Sequence, residues 1–389
     1  MGTLRAGCAK IEITPKAPAY LAGYAMRNKP SEGVHDPLFL RTMVLDDGEI
    51  RLAILSNDLC LISNDLKNEL REMIANAGFN PQCIFIATTH THSGPVTGGD
   101  KVDQEWLEGL KHKMAESVLL AEKQLQPVRI GIGKGQCNVG MNRRERQPDG
   151  TTRLGKNPDG PVDTELGVIR FDDMDGNPLS IVLNYGCHGT TLGGHNYQIS
   201  GDYMGEGVSL IEKQAKGQPF AMFLTGASGN VDPRYRVGEN FEHVRELGEE
   251  LTTDTLKINS QLTTKDIDAT IRIFSETINV PRKTEEVEKG ADESVAIPVS
   301  LIRLNDLLFI TFPGELFAEI GMELKKRSPC ANTFIIGYCN GSVGYLPTRQ
   351  AYPEGGYEVN VTHCAPEAES VFVNGVSEMM RLLECVSLC

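Results

Sequence analysis

The chain has 389 residues, of which 40% are hydrophobic, and it carries a formal net charge of −14. This length and apolar content allow a large buried core, whereas the acidic charge argues against binding to nucleic acid or to anionic membrane surfaces. No run of residues is long and apolar enough to cross a bilayer, so no integral membrane segment is predicted.

The N-terminal residues and the cysteines bear on the cellular compartment. Residues 1–15 lack the charged, apolar and small-residue sections of a secretory signal peptide, which predicts a cytoplasmic protein, or a secreted one if a signal peptide was removed earlier. The ten cysteines are scattered and contain no Cys-x-x-Cys pair, so reduced thiols are expected.

Apolar runs alternate with amphipathic segments in the first part of the chain, which predicts an α/β fold with mixed β-sheets flanked by helices. In chain order, the predicted strands cover 50–55, 83–87, 166–171, 179–185, 221–225, 269–280, 299–304, 307–312 and 334–338. The predicted helices cover 64–77, 104–124, 206–214, 241–256, 316–326 and 367–385, with Ser63 and Asn240 as N-caps. Two segments without periodicity, 143–163 and 281–294, are predicted to be a long loop and an exposed loop.

The most informative motif is Thr88-Thr89-His90-Thr91-His92-Ser93-Gly94-Pro95, which follows a buried apolar run. Side chains two residues apart in extended backbone face the same side. This segment is therefore suited to serve one metal ion, or a metal ion and a proton-transfer partner.

Three other strand-like runs also end in residues able to ligate zinc or iron. The run at 179–185 is followed by Gly186-Cys187-His188-Gly189-Thr190, and the run at 307–312 is followed by Pro313-Gly314-Glu315. The run at 334–338 is followed by a segment that extends to Tyr345. Functional groups in sheet proteins gather at strand ends. We therefore predict a zinc site at these strand ends, where imidazole, carboxylate and phenolate ligands leave a position for water.

At these residues the chain resembles the neutral/alkaline ceramidase family, whose catalytic domain carries the motifs T-H-T-H-S-G-P, H-G-T, S-G-D and P-G-E and a late pair of tyrosines. The matching residues occur here in the same order, namely 89–95, His188-Gly189-Thr190, Ser200-Gly201-Asp202, Pro313-Gly314-Glu315, and Tyr345 with Tyr357. The resemblance covers nearly the whole chain, from residue 6 to about residue 357.

The resemblance implies a role for individual residues. The zinc ligands that it implies are His90, His188, Glu315 and Tyr345. His92 would transfer protons beside the metal ion. Tyr357 and an arginine would polarise the substrate carbonyl; we assign this arginine to Arg143, with the adjacent Arg144 as the alternative.

The chain also departs from the family pattern. Where the family has D-V-S-P, this chain has Asn230-Val231-Asp232-Pro233, so no serine nucleophile is available there. Residues 33–37 also differ, and the C-terminal β-sandwich of full-length ceramidases has no counterpart. Since the implied ligands span His90 to Tyr345, we predict one catalytic domain over residues 1–389.

Five further residues are candidates for supporting roles. Asp58 and Asp202 are predicted to accept a hydrogen bond from a ligating imidazole, His90 and His188 respectively. His35, His195 and Asp232 are candidates for contact with the substrate.

The combined prediction is a zinc-dependent hydrolase that cleaves an N-acyl amide bond with metal-activated water. Its expected partner is a small-molecule or lipid-like N-acyl substrate, and formation of a homo-oligomer stays open. The alternatives are a zinc-dependent esterase, deacetylase or glycoside-processing enzyme acting on a small polar or sugar-derived substrate, and a binding protein without catalytic activity.

Overall fold

The structure is a computed structural model that describes residues 2–16, 18–76, 78–238 and 240–385. The strands in the first half are β1 (Gly2–Thr3), β2 (Arg5–Glu12), β3 (Gly33–Val34), β4 (Phe39–Asp46), β5 (Arg51–Asn57), β6 (Ile84–Thr88), β7 (Gln126–Gln136), β8 (Gly140–Arg146), β9 (Thr152–Asn157), β10 (Glu165–Asp173) and β11 (Pro178–Tyr185). The later strands are β12 (Gln198–Ile199), β13 (Phe220–Thr225), β14 (Val231–Pro233), β15 (Asp268–Ala269), β16 (Ile271–Pro281), β17 (Ser294–Leu304), β18 (Leu307–Thr311), β19 (Glu315–Leu316), β20 (Asn332–Ile336) and β21 (Tyr345–Leu346).

The helices within these residues complete the element order. They are α1 (Asn64–Asn76), α2 (Gln104–Lys123), α3 (Asp202–Gln214), α4 (Phe241–Gln261), α5 (Thr284–Val287), α6 (Ala318–Arg327), α7 (Ala351–Glu354), α8 (Tyr357–Val361) and α9 (Ala368–Cys385). A short 3₁₀ turn, Pro81–Cys83, precedes β6. The predicted caps are confirmed, because Ser63 Oγ accepts a hydrogen bond from Leu66 N and Asn240 Oδ1 accepts one from Glu242 N.

The elements pack in four layers, helix, sheet, sheet and helix. An eight-stranded sheet, in the order β13-β11-β10-β7-β2-β4-β5-β6, faces a four-stranded sheet, β16-β17-β18-β20. Alternate residues of each strand point to opposite faces, so that Met43 of β4 lies between the two sheets while Val44 packs under the helices. Helices α1 and α2 cover one half of the large sheet, α3 and α4 cover the other half, and α6 and α9 cover the small sheet.

The two outer edges of the large sheet approach each other. Between β2 and β7, where its two halves adjoin, the strands share two residue pairs, Arg5 with Pro127 and Ala6 with Gln126, and Val128 N donates to Leu4 O at 2.9 Å. Across the opening, Ser56 Oγ donates to Phe223 O at 2.6 Å, and Thr225 Oγ1 lies 3.2 Å from Thr88 O. This curvature brings the end of β6 next to the ends of β11 and β13.

The α/β class with mixed sheets is confirmed, but several predicted elements change. Strands β2, β4 and β7 were not predicted. The predicted loop at 143–163 is wrong: β8 and β9 form a hairpin there and β14 pairs with β8. Buried ion pairs to Glu358 satisfy Arg143 and Arg144, which allows β8 to be buried. The segment 281–294 is half-buried or exposed and contains the single helical turn α5. The predicted end of the first helix, Ala77, lies outside the described residues.

Two sequence expectations concern the cysteines and the membrane. The nine cysteines within the described ranges are all free thiols, and eight of them are buried. In that part of the chain no helix combines the length and the hydropathy that a transmembrane span requires.

A buried amide links the two sheets. Asn184, at the end of β11, is 3% exposed, and its Nδ2 donates to Leu224 O at 3.0 Å and to Ile335 O at 2.7 Å.

Asn184→Ala removes both bonds and leaves buried carbonyls without these donors, which is expected to lower the free energy of unfolding by roughly 1–3 kcal/mol. Urea denaturation measures this loss. The matched control is Asn279→Ala on an exposed position of β16, and equal effects of the two substitutions would contradict this account.

Candidate active site

The predicted ligand residues meet where the strand ends converge. His90 follows β6 and His188 follows β11, and a bridge between Thr91 and Gly189 joins the two segments in parallel. Glu315 and Tyr345 are partners in the parallel pair of β19 and β21, which follow β18 and β20. Strands from both sheets therefore deliver side chains to one cluster.

The two imidazoles are held in a defined orientation by backbone carbonyls. His90 Nδ1 lies 2.6 Å from Cys60 O, and His188 Nδ1 lies 2.7 Å from Ser228 O. A carbonyl oxygen only accepts, so each Nδ1 carries the proton and donates it. The Nε2 atom of each ring is then an acceptor that points into the cluster.

The Nε2 atoms meet a carboxylate. Glu315 Oε2 lies 2.9 Å from His188 Nε2 and 3.9 Å from His90 Nε2, and the three ligand atoms lie within 4.8 Å of one another. Three acceptor atoms in such close contact repel one another unless a cation lies among them. Two imidazole nitrogens and a carboxylate oxygen match the donor set of a catalytic zinc site, so these residues could hold a metal ion.

The protonation states suit this role. Burial lowers the pKa of His90 to about 3, so its ring is neutral near pH 7. Burial opposes ionisation of Glu315, but the positive charge of Arg143 helps to lower the pKa of this carboxyl below its ordinary value. A neutral imidazole and an ionised carboxylate are the forms that bind metal ions.

The backbone at this cluster is strained. His90 has a positive φ of 63°, and Tyr338, whose ring stacks on His90 at 3.8 Å, has a φ of 50°. Residues other than glycine rarely adopt this left-handed conformation, and they keep it only where surrounding contacts enforce it. Tyr338 was not predicted as a site residue; its hydroxyl pairs with Ser228 Oγ at 2.9 Å.

Arg143 lies against the same cluster and is 4% exposed. Its Nη1 donates to His188 Nε2 at 3.0 Å, and its Nη2 donates to Tyr345 Oη at 3.0 Å. Asp232 and Glu358 accept its remaining bonds, at 3.1 Å and 2.7 Å. This arginine brings a fixed positive charge to the cluster.

Glu358 is the most important residue that sequence reasoning missed. It is 1% exposed, and its two oxygens bind Arg143 Nε at 2.7 Å and Arg144 Nη1 at 2.9 Å. Arg144, the alternative to Arg143, is directed away from the cluster towards Glu358 and Gly355 O. The signal in the sequence is the pair of adjacent arginines in a buried strand, since two buried guanidinium groups need a carboxylate partner.

His92 lies beside His90, with 3.1 Å between their Nε2 atoms. Burial and the neighbouring charges lower the pKa of His92 well below its ordinary value. The ring of Tyr24 packs against it edge-on at 5.0 Å, and Arg27 Nη1 donates to His92 O at 2.6 Å. A Cβ at Gly23, whose φ is 89°, would lie 2.3 Å from His92 Cγ, so this approach requires glycine.

The two tyrosines differ in exposure. Tyr345 is buried, and burial together with the negative charge of Glu315 raises the pKa of its hydroxyl well above the ordinary value. Tyr357, the first residue of α8, is 45% exposed, and its ring centroid lies 5.8 Å from that of Tyr345. Tyr357 therefore borders the cluster from the solvent side.

The structure gives Asp58 and Asp202 other partners than the imidazoles. Asp58 accepts from Arg41 Nη1 at 3.0 Å and from Phe39 N at 2.8 Å. Asp202 begins α3 and accepts from Leu192 N at 3.3 Å. The expected carboxylate–histidine bonds are not made, because backbone carbonyls already occupy both Nδ1–H groups.

Only one of the three expected substrate-contact residues joins the cluster. Asp232 accepts from Thr190 Oγ1 at 3.1 Å and from Arg236 Nε at 2.6 Å in addition to Arg143. His35 stacks on Phe241 at 3.6 Å and pairs with Asp36, while His195 lies exposed in the turn that follows Gly193.

Two exposed apolar side chains adjoin residues that contact the cluster. Met26 is 59% exposed and adjoins Arg27, and Val237 is 41% exposed and donates its N–H to Thr190 O. Both pack against the backbone of Gly193 and Gly194, where an added Cβ would lie 2.7 Å from Val237 Cγ1 or 2.6 Å from Met26 Sδ. Met26 and Val237 are therefore candidates for contact with an apolar part of a bound molecule.

Comparison with known proteins places this geometry in a family. The family model described as neutral/alkaline non-lysosomal ceramidase, N-terminal, matches residues 4–240. Neutral ceramidase A of Dictyostelium discoideum is 29% identical over 246 residues, which are 57% of this chain and 34% of that protein. Neutral ceramidase of Pseudomonas aeruginosa is 25% identical over 276 residues, covering 63% of this chain and 40% of that protein. The matches thus span about a third of the length of these curated relatives.

The fold is shared as well. The crystal structure of the neutral ceramidase from Pseudomonas aeruginosa superposes with a TM-score of 0.81 at 20% identity, covering 99% of this chain and 75% of that one. The sequence match and the common fold support one conclusion: the chain belongs to the neutral/alkaline non-lysosomal ceramidase family.

Proposed function

We propose that this protein is a zinc-dependent hydrolase that cleaves the N-acyl amide bond of a substrate with an apolar acyl chain. The observation that carries the proposal is the cluster of three acceptor atoms from His90, His188 and Glu315 beside the buried cation of Arg143. Ceramide, the substrate in the names of the relatives, is itself an N-acyl amide with a long apolar chain, which fits this bond.

In the proposed site, zinc would be held by His90, His188 and Glu315, with Tyr345 as a fourth ligand. When bound, zinc supplies Lewis acidity, which makes water a better nucleophile and polarises a carbonyl group. The carbonyl bonds hold the proton on Nδ1 of both rings, so both Nε2 atoms are acceptors that would be able to ligate the metal ion. His188 Nε2 accepts from Arg143 Nη1 in this structure, and metal binding would replace that bond.

His92 is the proposed proton-transfer residue. Its lowered pKa keeps the ring neutral, so it is able to accept a proton from the attacking water and return it to the leaving amine. Arg143 would donate from its guanidinium to the carbonyl oxygen as negative charge develops there, and Tyr357 would add a hydroxyl from the solvent side. Both residues border the cluster, and Arg143 is already fixed by Glu358.

Asp232 occupies the place where the family pattern has serine, and a nucleophilic role is not proposed for it. Its carboxylate is ionised and bound by two arginines and a threonine hydroxyl. Since these bonds occupy both oxygens, we propose attack by water and no covalent intermediate on this residue.

Metal content is the first measurement. Wild-type protein is expected to contain about one zinc ion per chain, as a single mononuclear site requires. His90→Ala combined with His188→Ala is expected to lose both the metal and the hydrolysis of a fluorogenic N-acyl substrate. His112→Ala, an exposed histidine on α2, is the matched control and should change neither. A double variant that retains zinc and activity would rule out this site.

Proton transfer by His92 is tested separately from metal binding. His92→Gln is expected to lower kcat by about 10²–10⁴-fold while the zinc content stays at the wild-type level, because the ring transfers protons and does not hold the metal ion. Kinetics and metal analysis on the same preparation measure both. Full activity of the variant would remove His92 from the mechanism.

The acyl group is tested with substrates of different chain length. We expect a dodecanoyl amide to be hydrolysed with a higher kcat/KM than an acetyl amide, and Met26→Ser with Val237→Ser to reduce this preference about tenfold through lost apolar contact. Met174→Ser is the control, since Met174 is 44% exposed and lies in the turn between β10 and β11. A preference for the acetyl amide, or for acetyl esters or acetylated sugars, would favour the polar-substrate alternative.

A further inference from the structure

A second cavity lies apart from the active site, between α1 and the hairpin of β16 and β17. Its volume is about 620 Å³, and its described lining residues include Lys67 and Arg71 of α1, Glu276 and Ser300 of the hairpin, and Asn340. None of the proposed catalytic or ligand residues lines it.

The cavity carries two cationic side chains that lack carboxylate partners. Lys67 and Arg71 are four residues apart on α1 and therefore lie on the same face of the helix, where two like charges repel. Within the described ranges neither side chain is within ion-pair distance of an Asp or Glu. The single carboxylate of the lining, Glu276, is exposed on the opposite wall.

The guanidinium group of Arg71 has a donor available for a further hydrogen-bond acceptor. Its Nη2 donates to Ile84 O at 3.0 Å, which fixes the guanidinium against the edge strand β6. Its Nε is buried and has no hydrogen-bond acceptor in the described part of the chain. A buried donor without an acceptor costs free energy, so a ligand that supplies an acceptor atom is favoured there.

Partial burial lowers the pKa values of both cationic side chains. Desolvation lowers the pKa of Lys67 and of Arg71, and the charge of Arg71 lowers the pKa of Lys67 further, although the nearby charge of Asp65 offsets part of this decrease. An anion between the two side chains would relieve both the desolvation and the mutual repulsion.

We propose that this cavity is a binding site for a small oxyanion, such as phosphate or a carboxylate, held between Lys67 and Arg71. The ammonium group supplies a point charge and the guanidinium supplies directed donors, a combination suited to an oxyanion with several acceptor atoms. The site is independent of the proposed hydrolysis.

The test is isothermal titration of the intact protein with inorganic phosphate and, separately, with acetate, at constant ionic strength set by sodium chloride. Saturable binding of phosphate, of acetate or of both is expected, and the stronger ligand identifies a phosphoryl or a carboxylate source. Lys67→Gln is expected to weaken binding by about tenfold, the usual loss for one charge-assisted hydrogen bond. Lys67 makes no hydrogen bond within the described chain that its replacement would break, so this variant should fold normally.

Two control variants separate specific anion binding from a general effect of charge. Lys216→Gln removes the same charge from an exposed position outside the cavity and should bind the anion as the wild type does. Arg71→Lys retains the charge but not the directed donors, and it should bind more weakly than the wild type. The absence of saturable binding, or equal binding by Lys67→Gln and wild type, would overturn the proposal.

Discussion

The site depends on two hydrogen bonds from imidazole Nδ1–H groups to backbone carbonyls, those of Cys60 and Ser228. Both carbonyls belong to loops at strand ends, so the rigid sheets determine which ring nitrogen carries the proton. Every other property of the cluster follows from that choice: the Nε2 lone pairs converge on Glu315 and become available to a cation. A backbone acceptor has one further advantage over a carboxylate, since no side-chain substitution can remove it.

A second constraint is the balance of buried charge. Arg143 and Arg144 are both nearly excluded from solvent, and Glu358 and Asp232 supply the negative charge that their burial demands. Because Arg143 uses Nε for Glu358 and Nη1 for Asp232, its orientation towards the cluster is fixed before any substrate arrives. The contacts that neutralise this buried arginine are the same contacts that position it for its proposed role in catalysis.

The sequence predicted which side chains meet in the candidate site better than it predicted the contacts that position them. The spacing of His90 and His92 and the strand ends before His188 and Glu315 could be recognised locally, and the α/β alternation predicted the class of fold. Strand β8 escaped prediction because ion pairs, not apolar contacts, accompany the burial of Arg143 and Arg144. The partner of His90 could not be predicted, since the carbonyl of Cys60 has no signature in a sequence and the geometry of two loops decides it.

The charge balance has a consequence for the order in which the molecule assembles. Arg143 and Glu358 are 215 residues apart in sequence, and Arg143 and Tyr345 are 202 apart. A contact between such distant partners closes a long loop if it forms early, and this costs chain entropy that folding of the intervening segments reduces. Glu358 on the short helix α8 supplies a carboxylate to both arginines, so the burial of these two side chains depends on a segment that lies 215 and 214 residues later in the chain.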